Sequence, residues 1–167
     1  MVDLSPIRAI SLDLDDTLWP VWPIIERAEQ VLQAWLTVHA PRAAALGREQ
    51  PAIAGMRPQG TEQVQADWPA HLRHDLAALR TEAIRRLLRQ AGESEALAAD
   101  AFEVFHAERQ RVELYPDAMP LLQTLHGRYP LLAITNGTAD VARAGLGHFF
   151  AHAVNAPTLG HAKPQPD

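Results

Sequence analysis

Two carboxylates stand one residue apart in the run Ser11-Leu12-Asp13-Leu14-Asp15-Asp16-Thr17-Leu18, directly after the apolar stretch Ile7 to Leu12. Acids at that spacing can face one crevice once the chain turns out of the extended state, and a hard cation would hold them there. Magnesium takes oxygen ligands octahedrally, keeps several waters, and uses one or two carboxylates plus substrate phosphate. With the cation offsetting charge repulsion, one carboxylate can attack phosphorus to give an aspartyl-phosphate. Its neighbour can protonate the leaving oxygen and later activate water. The bland alternative is a turn with Asp caps and solvated charge. A DxDxT placed immediately after a buried strand weighs against it.

Two further groups have the right chemistry to join these acids. In Ile134-Thr135-Asn136-Gly137-Thr138 a hydroxyl is followed by backbone amides in a glycine-containing turn, which suits an anionic oxygen. Thr, Asn and Gly are also ordinary turn residues, so this segment alone says little. In Leu159-Gly160-His161-Ala162-Lys163-Pro164 the lysine offers a compact point charge for a phosphate or a charged phosphoenzyme. Most lysines are merely solvated, yet Lys163 is the only lysine in a chain whose other Lys/Arg positions are all arginine.

The elements that must position these groups follow from periodicity. Ile7 to Leu12 reads as a strand buried on both faces of a parallel sheet. From Pro20 the period becomes helical, with Ile24, Ala28, Val31/Leu32 and Trp35/Leu36 on one stripe, and this helix should stop near Pro41. Residues 41–68 are rich in Pro and Gly and are expected to be loops with at most a short helix. Leu72, Leu76, Leu79, Ala83 and Leu87 define another helix face ended by Gly92, and Leu97, Ala101, Val104/Phe105 and Glu108 begin a further stripe. Asp117 can cap a helix carrying Leu121, Leu122 and Leu125. Pro130 to Thr135 reads as a second strand, Ala139 to Ala144 as a short helix, and Ala151 to Val154 as a third, weaker strand. The order implies a parallel α/β core interrupted early by a helical module. In open parallel sheets ligands bind beyond the carboxyl ends of the strands, and all three polar groups fall there.

Composition narrows the function classes. With 167 residues, 47% of them hydrophobic, the chain can bury one good core or a core plus a small accessory module. A net charge of −5 gives no basic footprint for nucleic acid. There is no cysteine, which excludes disulfides, thiolate metal sites and thiol nucleophiles. The N-terminus does not read as a signal peptide, and no apolar run approaches the roughly 20 residues of a membrane span, so a cytoplasmic protein is expected. His71 and His74 share a predicted helix, but zinc needs at least three protein ligands and no third is evident nearby. Arg85, Arg86 and Arg89 read as a solvated helix face. Trp19, two residues past Thr17, is expected near the mouth of the site, where it would either stack on a flat substrate ring or pack between domains.

Taken in order, DxDxT, a strand ending in TNG and a KP segment resemble the first three motifs of the haloacid dehalogenase (HAD) superfamily, a likeness that runs from Ile7 to Pro166. The resemblance implies a HAD-like Rossmannoid parallel core with an inserted helical cap, assigned as core 1–19 plus 113–167 and cap 20–112. DLDDTLW, PLLAITNGTA, the Gly145-Leu146-Gly147 segment with Phe149-Phe150, and the KP ending are similar to bacterial phosphatases acting on flavin mononucleotide and on a phosphoribitylaminouracil precursor of riboflavin. By resemblance, Asp13 is nucleophile and metal ligand, and Asp15 is the acid/base whose backbone carbonyl touches magnesium. Thr135 binds phosphate with the amide of Asn136, and Lys163 neutralises charge. The implied activity is magnesium-dependent hydrolysis of a small phosphorylated metabolite. The rivals are carbon–halogen hydrolysis, against which Asp15 argues, and a non-catalytic binding protein. The family's fourth, acidic motif has no counterpart before Asp167, so the expectation is a fragment of a longer protein whose core is truncated at its C-terminus. Such a core would leave the first strand at an exposed sheet edge open to self-association.

Overall fold

The computed structural model describes residues 6–50, 67–68 and 73–164. The chain divides into two compact units, one made of residues 1–22 and 110–167 and the other of residues 23–109.

The first unit is built on a three-stranded parallel sheet in the order β1 (Ile10–Leu12), β2 (Leu131–Thr135), β3 (His152–Asn155). Ile10 pairs with Leu131 and Leu12 with Ala133, while Leu132 pairs with His152 and Thr135 with Asn155. All three carboxyl ends therefore lie along one rim. Only the central strand β2 alternates between buried and half-buried residues throughout its length. The expectation that β1 is buried on both faces is corrected: Ile10 and Leu12 are half-buried and Ser11 is exposed. Among the described residues β1 hydrogen-bonds to β2 alone, so it is an edge strand with less cover than a central one.

The helical unit opens with α1 (Val21–His39), which buries Ile24, Ala28, Leu32 and Leu36 at the spacing expected of an amphipathic stripe. Pro41 does not simply stop this helix. It takes the first turn of α2 (Pro41–Glu49), where a missing N–H costs nothing, so the first part of the expected loop region is helical. The remainder of that region, 51–66, lies outside the described residues, as do Leu72 and His71. In α3 (Leu76–Gln90) the carboxylate of Asp75 accepts from the amide of Ala78 at 2.9 Å and caps the helix. Gly92, at φ +68, ends it with the left-handed residue a helix terminus favours. A short 3-10 turn (Glu95–Leu97) leads into α4 (Ala98–Arg109). Leu32, Leu36, Leu87, Leu88 and Phe105 share one buried cluster, which is the core of this unit.

After the return to the first unit, α5 (Ala118–Leu125) begins at Asp117, whose side chain makes no capping bond; its backbone carbonyl accepts from Leu121. The helix expected over Ala139 to Ala144 is not there. Asp140 Oδ1 accepts from the amides of Ala142 and Arg143, the chain makes one turn, and Gly145 at φ +79 leads it out into a 3-10 turn (Gly147–Phe149). The carboxylate that would cap a longer helix here closes a single turn instead. A one-turn α6 (Ala156–Leu159), capped by Asn155, follows β3 and delivers the chain to Lys163. No helix among the described residues is long and apolar enough to cross a membrane.

Candidate active site

Asp13 is the first residue past β1, and from there the chain folds into a tight loop. The amides of Thr17 and Leu18 both donate to the carbonyl of Leu14, and the amide of Asp16 donates to the carbonyl of Trp19. Leu14, Leu18 and Trp19 are buried and anchor the loop, which leaves the carboxylates of Asp13 and Asp16 toward solvent. Asp16 sits at φ +56, a left-handed conformation that Asp tolerates better than most residues, and its Oδ1 accepts from the amide of Val21 at the start of α1. The chain returning from the helical unit is tied to the same loop, since the amide of Tyr115 donates to the carbonyl of Leu18.

Lys163, the chain's single lysine, reaches back across 150 residues to place Nζ 2.9 Å from Asp13 Oδ1. The same ammonium donates to the carbonyl of Ile134 at the end of β2. Both side chains remain about 40% exposed, 37% for Lys163 and 44% for Asp13, so the pair faces solvent and not the core. The backbone of Lys163 is fixed by Asn136, whose Nδ2 donates to the Lys163 carbonyl at 3.0 Å and whose Oδ1 accepts from its amide at 2.8 Å. The side chain of Asn136 is thus committed to holding the lysine segment.

Thr135 is buried at 5% exposure, and its Oγ1 accepts from the amide of Gly137 at 2.9 Å. A Cβ built on Gly137 would lie 2.3 Å from Asp15 Oδ2 and 3.3 Å from Thr135 Oγ1. The second carboxylate and the threonine hydroxyl therefore flank the same point, and a side chain there would force the Asp15 carboxylate to shift. The other oxygen of Asp15, Oδ1, accepts from the indole Nε1 of Trp19 at 2.8 Å.

The structure thus gathers Asp13, Asp15, Thr135, Asn136 and Lys163 at the carboxyl ends of β1 and β2. Trp19, considered for stacking on a substrate ring or for packing between domains, has 0% exposure. Its indole N–H is engaged with the Asp15 carboxylate. Sequence reasoning missed two residues. Asp16 links the acidic loop to α1, and a Thr-Asn-Gly sequence gives only a general hint that Gly137 must admit a neighbouring carboxylate.

Magnesium suits these donors. The loop offers oxygen ligands only, the Asp13 carboxylate is half exposed, and one of its oxygens is already balanced by an ammonium. Among the described residues, which include His74 but not His71, no three or more His, Asp or Glu side chains form a complete metal cage. A cation that takes one or two carboxylates and fills its shell with water and substrate fits such a site better than zinc does. The arginines expected on a solvated face are partly engaged: Arg85 and Arg86 pair with Glu82, Arg86 also with Asp67, and Arg89 with Glu95.

A parallel α/β sheet carrying an acidic loop after its first strand and a lysine returned from beyond its third defines a class of hydrolase. A family model for haloacid dehalogenase-like hydrolases matches residues 7–167, and the chain belongs to that family. It is 29% identical over 168 residues to 5-amino-6-(5-phospho-D-ribitylamino)uracil phosphatase YigB of Escherichia coli, covering 98% of this chain and 68% of that protein. A phosphoserine phosphatase of Thermus thermophilus is 31% identical over 179 residues, covering 96% of this chain and 72% of its own length. Among solved structures, a 2-haloacid dehalogenase from Pseudomonas syringae pv. tomato DC3000 superposes with a TM-score of 0.80 at 34% identity, covering 96% of this chain and 68% of that one. The fold is accordingly HAD-like.

Proposed function

We propose that this chain carries the site of a magnesium-dependent phosphomonoester hydrolase acting on a small phosphorylated metabolite through an aspartyl-phosphate. The observation that carries this reading is the 2.9 Å contact between Lys163 Nζ and Asp13 Oδ1, with Asp15 held beside them by Trp19 and Gly137. Asp13 is the nucleophile: its carboxylate is exposed, and Lys163 offsets both its charge and that arriving with the phosphoryl group. Asp15 gives a proton to the leaving oxygen and then takes one from the attacking water. Thr135 and the backbone amide of Asn136 receive the phosphoryl oxygens, and the Asn136 side chain keeps Lys163 in register. Magnesium, bound through the Asp13 carboxylate and the Asp15 segment, would supply electrostatic stabilisation of the transferred group. The unit of residues 23–109 serves as the helical cap that selects the substrate, for which flavin mononucleotide and riboflavin-pathway phosphates are the leading class.

Carbon–halogen hydrolysis is the second reading, favoured by the 2-haloacid dehalogenase that superposes so well. Asp15 weighs against it. A departing halide needs no proton, whereas an alkoxide leaving from phosphorus does, and here the acid two residues past the nucleophile is held by both a buried indole and a tight glycine contact.

Hydrolysis of p-nitrophenyl phosphate and of 2-chloropropionate, each with magnesium and with EDTA, separates the two. Phosphate release that EDTA abolishes and that Asp13→Asn removes is expected. Chloride release that survives EDTA would refute the phosphatase reading.

A further inference from the structure

Gln110 is buried at 4% exposure and lies where the chain re-enters the unit that holds the site. Both polar atoms of its carboxamide bond to the loop that follows β2. Nε2 donates to the carbonyl of Thr138 at 3.1 Å, and Oε1 accepts from the amide of Asp140 at 2.8 Å. Asn and Gln are the only side chains whose single planar group both donates and accepts without carrying charge or depending on a tautomer. Here that group satisfies two backbone positions two residues apart, much as an adjacent strand would.

The beginning of the same loop is held in the same manner by a different residue, since Asn136 exchanges two hydrogen bonds with the backbone of Lys163. Between the two carboxamides lies Gly137, whose amide donates to Thr135 Oγ1 and where an added Cβ would meet the Asp15 carboxylate. The segment 136–140 is therefore pinned at both ends, with Asp15 beside its centre.

We infer that Gln110 is a positioning residue for the phosphate-binding loop: it acts through Thr138 and Asp140 to fix where Thr135 and the amide of Asn136 meet the phosphoryl oxygens. The inference rests on the phosphatase reading above. Truncating Gln110 removes one hydrogen bond from the Thr138 carbonyl and one from the Asp140 amide, so the far end of the loop loses the restraint that fixes its place. Since the substrate is bound by other groups as well, the loss should fall on kcat more than on KM.

The experiment compares Gln110→Ala and the near-isosteric Gln110→Glu with wild type in the full chain, using three readouts. Steady-state kinetics on p-nitrophenyl phosphate should show kcat lowered about 10- to 100-fold in Gln110→Ala, the loss a displacement on the order of 1 Å produces, with KM little changed. Gln110→Glu, which keeps an acceptor for Asp140 but loses the donor to Thr138, should fall between. Amide hydrogen exchange at Asp140 should accelerate in Gln110→Ala and stay slow in Gln110→Glu. Inorganic phosphate, followed by the amide resonance of Gly137, should shift that signal in wild type and less in Gln110→Ala. Faster exchange at Asp140 with unchanged kcat overturns the inference, as do equal losses in both variants that track an unfolded fraction in thermal melts. If wild type neither turns over substrate nor binds phosphate while Asp140 is still protected, the phosphatase reading fails and takes this inference with it.

Discussion

Gly137 has no side chain, and the Asp15 carboxylate occupies the space where one would begin. Gly137→Ala should therefore push Asp15 aside while leaving the fold intact. A drop in kcat of about 100-fold with little change in melting temperature is the expected result, read by kinetics and thermal denaturation side by side. Trp19 acts on the same carboxylate from the other side. Trp19→Phe keeps the buried ring but deletes the donor to Asp15 Oδ1. A hydrogen bond to a charged group is worth about 1.5–3 kcal/mol, so a loss of about tenfold or more in kcat follows if most of it is felt in the transition state. That loss should be the same for flavin mononucleotide and for p-nitrophenyl phosphate; a selective effect on the ring-bearing substrate would support the stacking role. Lys163→Ala removes the one ammonium at Asp13 and should lower kcat by about 100- to 1,000-fold, the range seen when a single charge-stabilising donor is lost.

The helices of the second unit join at places where charge and burial oppose one another. Arg80 on α3 lies 4.1 Å over the ring of Phe105 on α4 and pairs with Glu29 on α1 at 3.5 Å. Burial lowers the pKa of its guanidinium, while the charge and hydrogen bond of Glu29 oppose that shift. Glu29→Gln removes the compensating charge and should destabilise the protein by about 1–3 kcal/mol, measured by chemical denaturation. A different balance holds at the end of α3, where Arg89 grips Glu95 with two bonds of 2.7 and 2.8 Å at the surface. The hydrogen bond from Arg89 depresses the Glu95 carboxyl below its ordinary value. A depressed acid contributes stability above the unfolded-state carboxylate range and loses it as pH falls through the folded-state value. The acid limb of the stability curve should accordingly be shallower in Glu95→Gln, and added salt should shrink the difference because the pair is exposed.

At the scale of the whole molecule, the two units differ in how they are assembled. The helical unit is one continuous stretch with its own buried cluster, in which Leu32, Leu36, Leu87 and Leu88 have no exposed surface. The sheet unit is discontinuous, and its site draws Asp13 and Lys163 from opposite ends of the chain. A polypeptide of residues 23–109 alone should fold, with a helical circular dichroism spectrum and a cooperative thermal transition, as expected of a segment with its own core. A non-cooperative melt would show that its core depends on the rest of the chain.

The sequence by itself determined the parallel α/β class, the helical insertion and the identity of the polar groups, because buried strands, amphipathic helices and acidic strand ends leave periodic signals in neighbouring residues. It marked Asp13, Thr135 and Lys163 through their places past successive strands. It misjudged the cover on β1 and the supposed helix at Ala139–Ala144, since burial of a strand depends on neighbours remote in sequence and Asp140 can cap a single turn as readily as a helix. Only the tertiary structure decided that the Trp19 indole donates to Asp15, that Gly137 lies beside that carboxylate, and that Gln110 and Asn136 hold the two ends of one loop. The physical reason is common to all of these: a hydrogen bond between residues far apart in the chain imposes no period on either sequence around it, and appears only when folding brings the two groups within about 3 Å of each other.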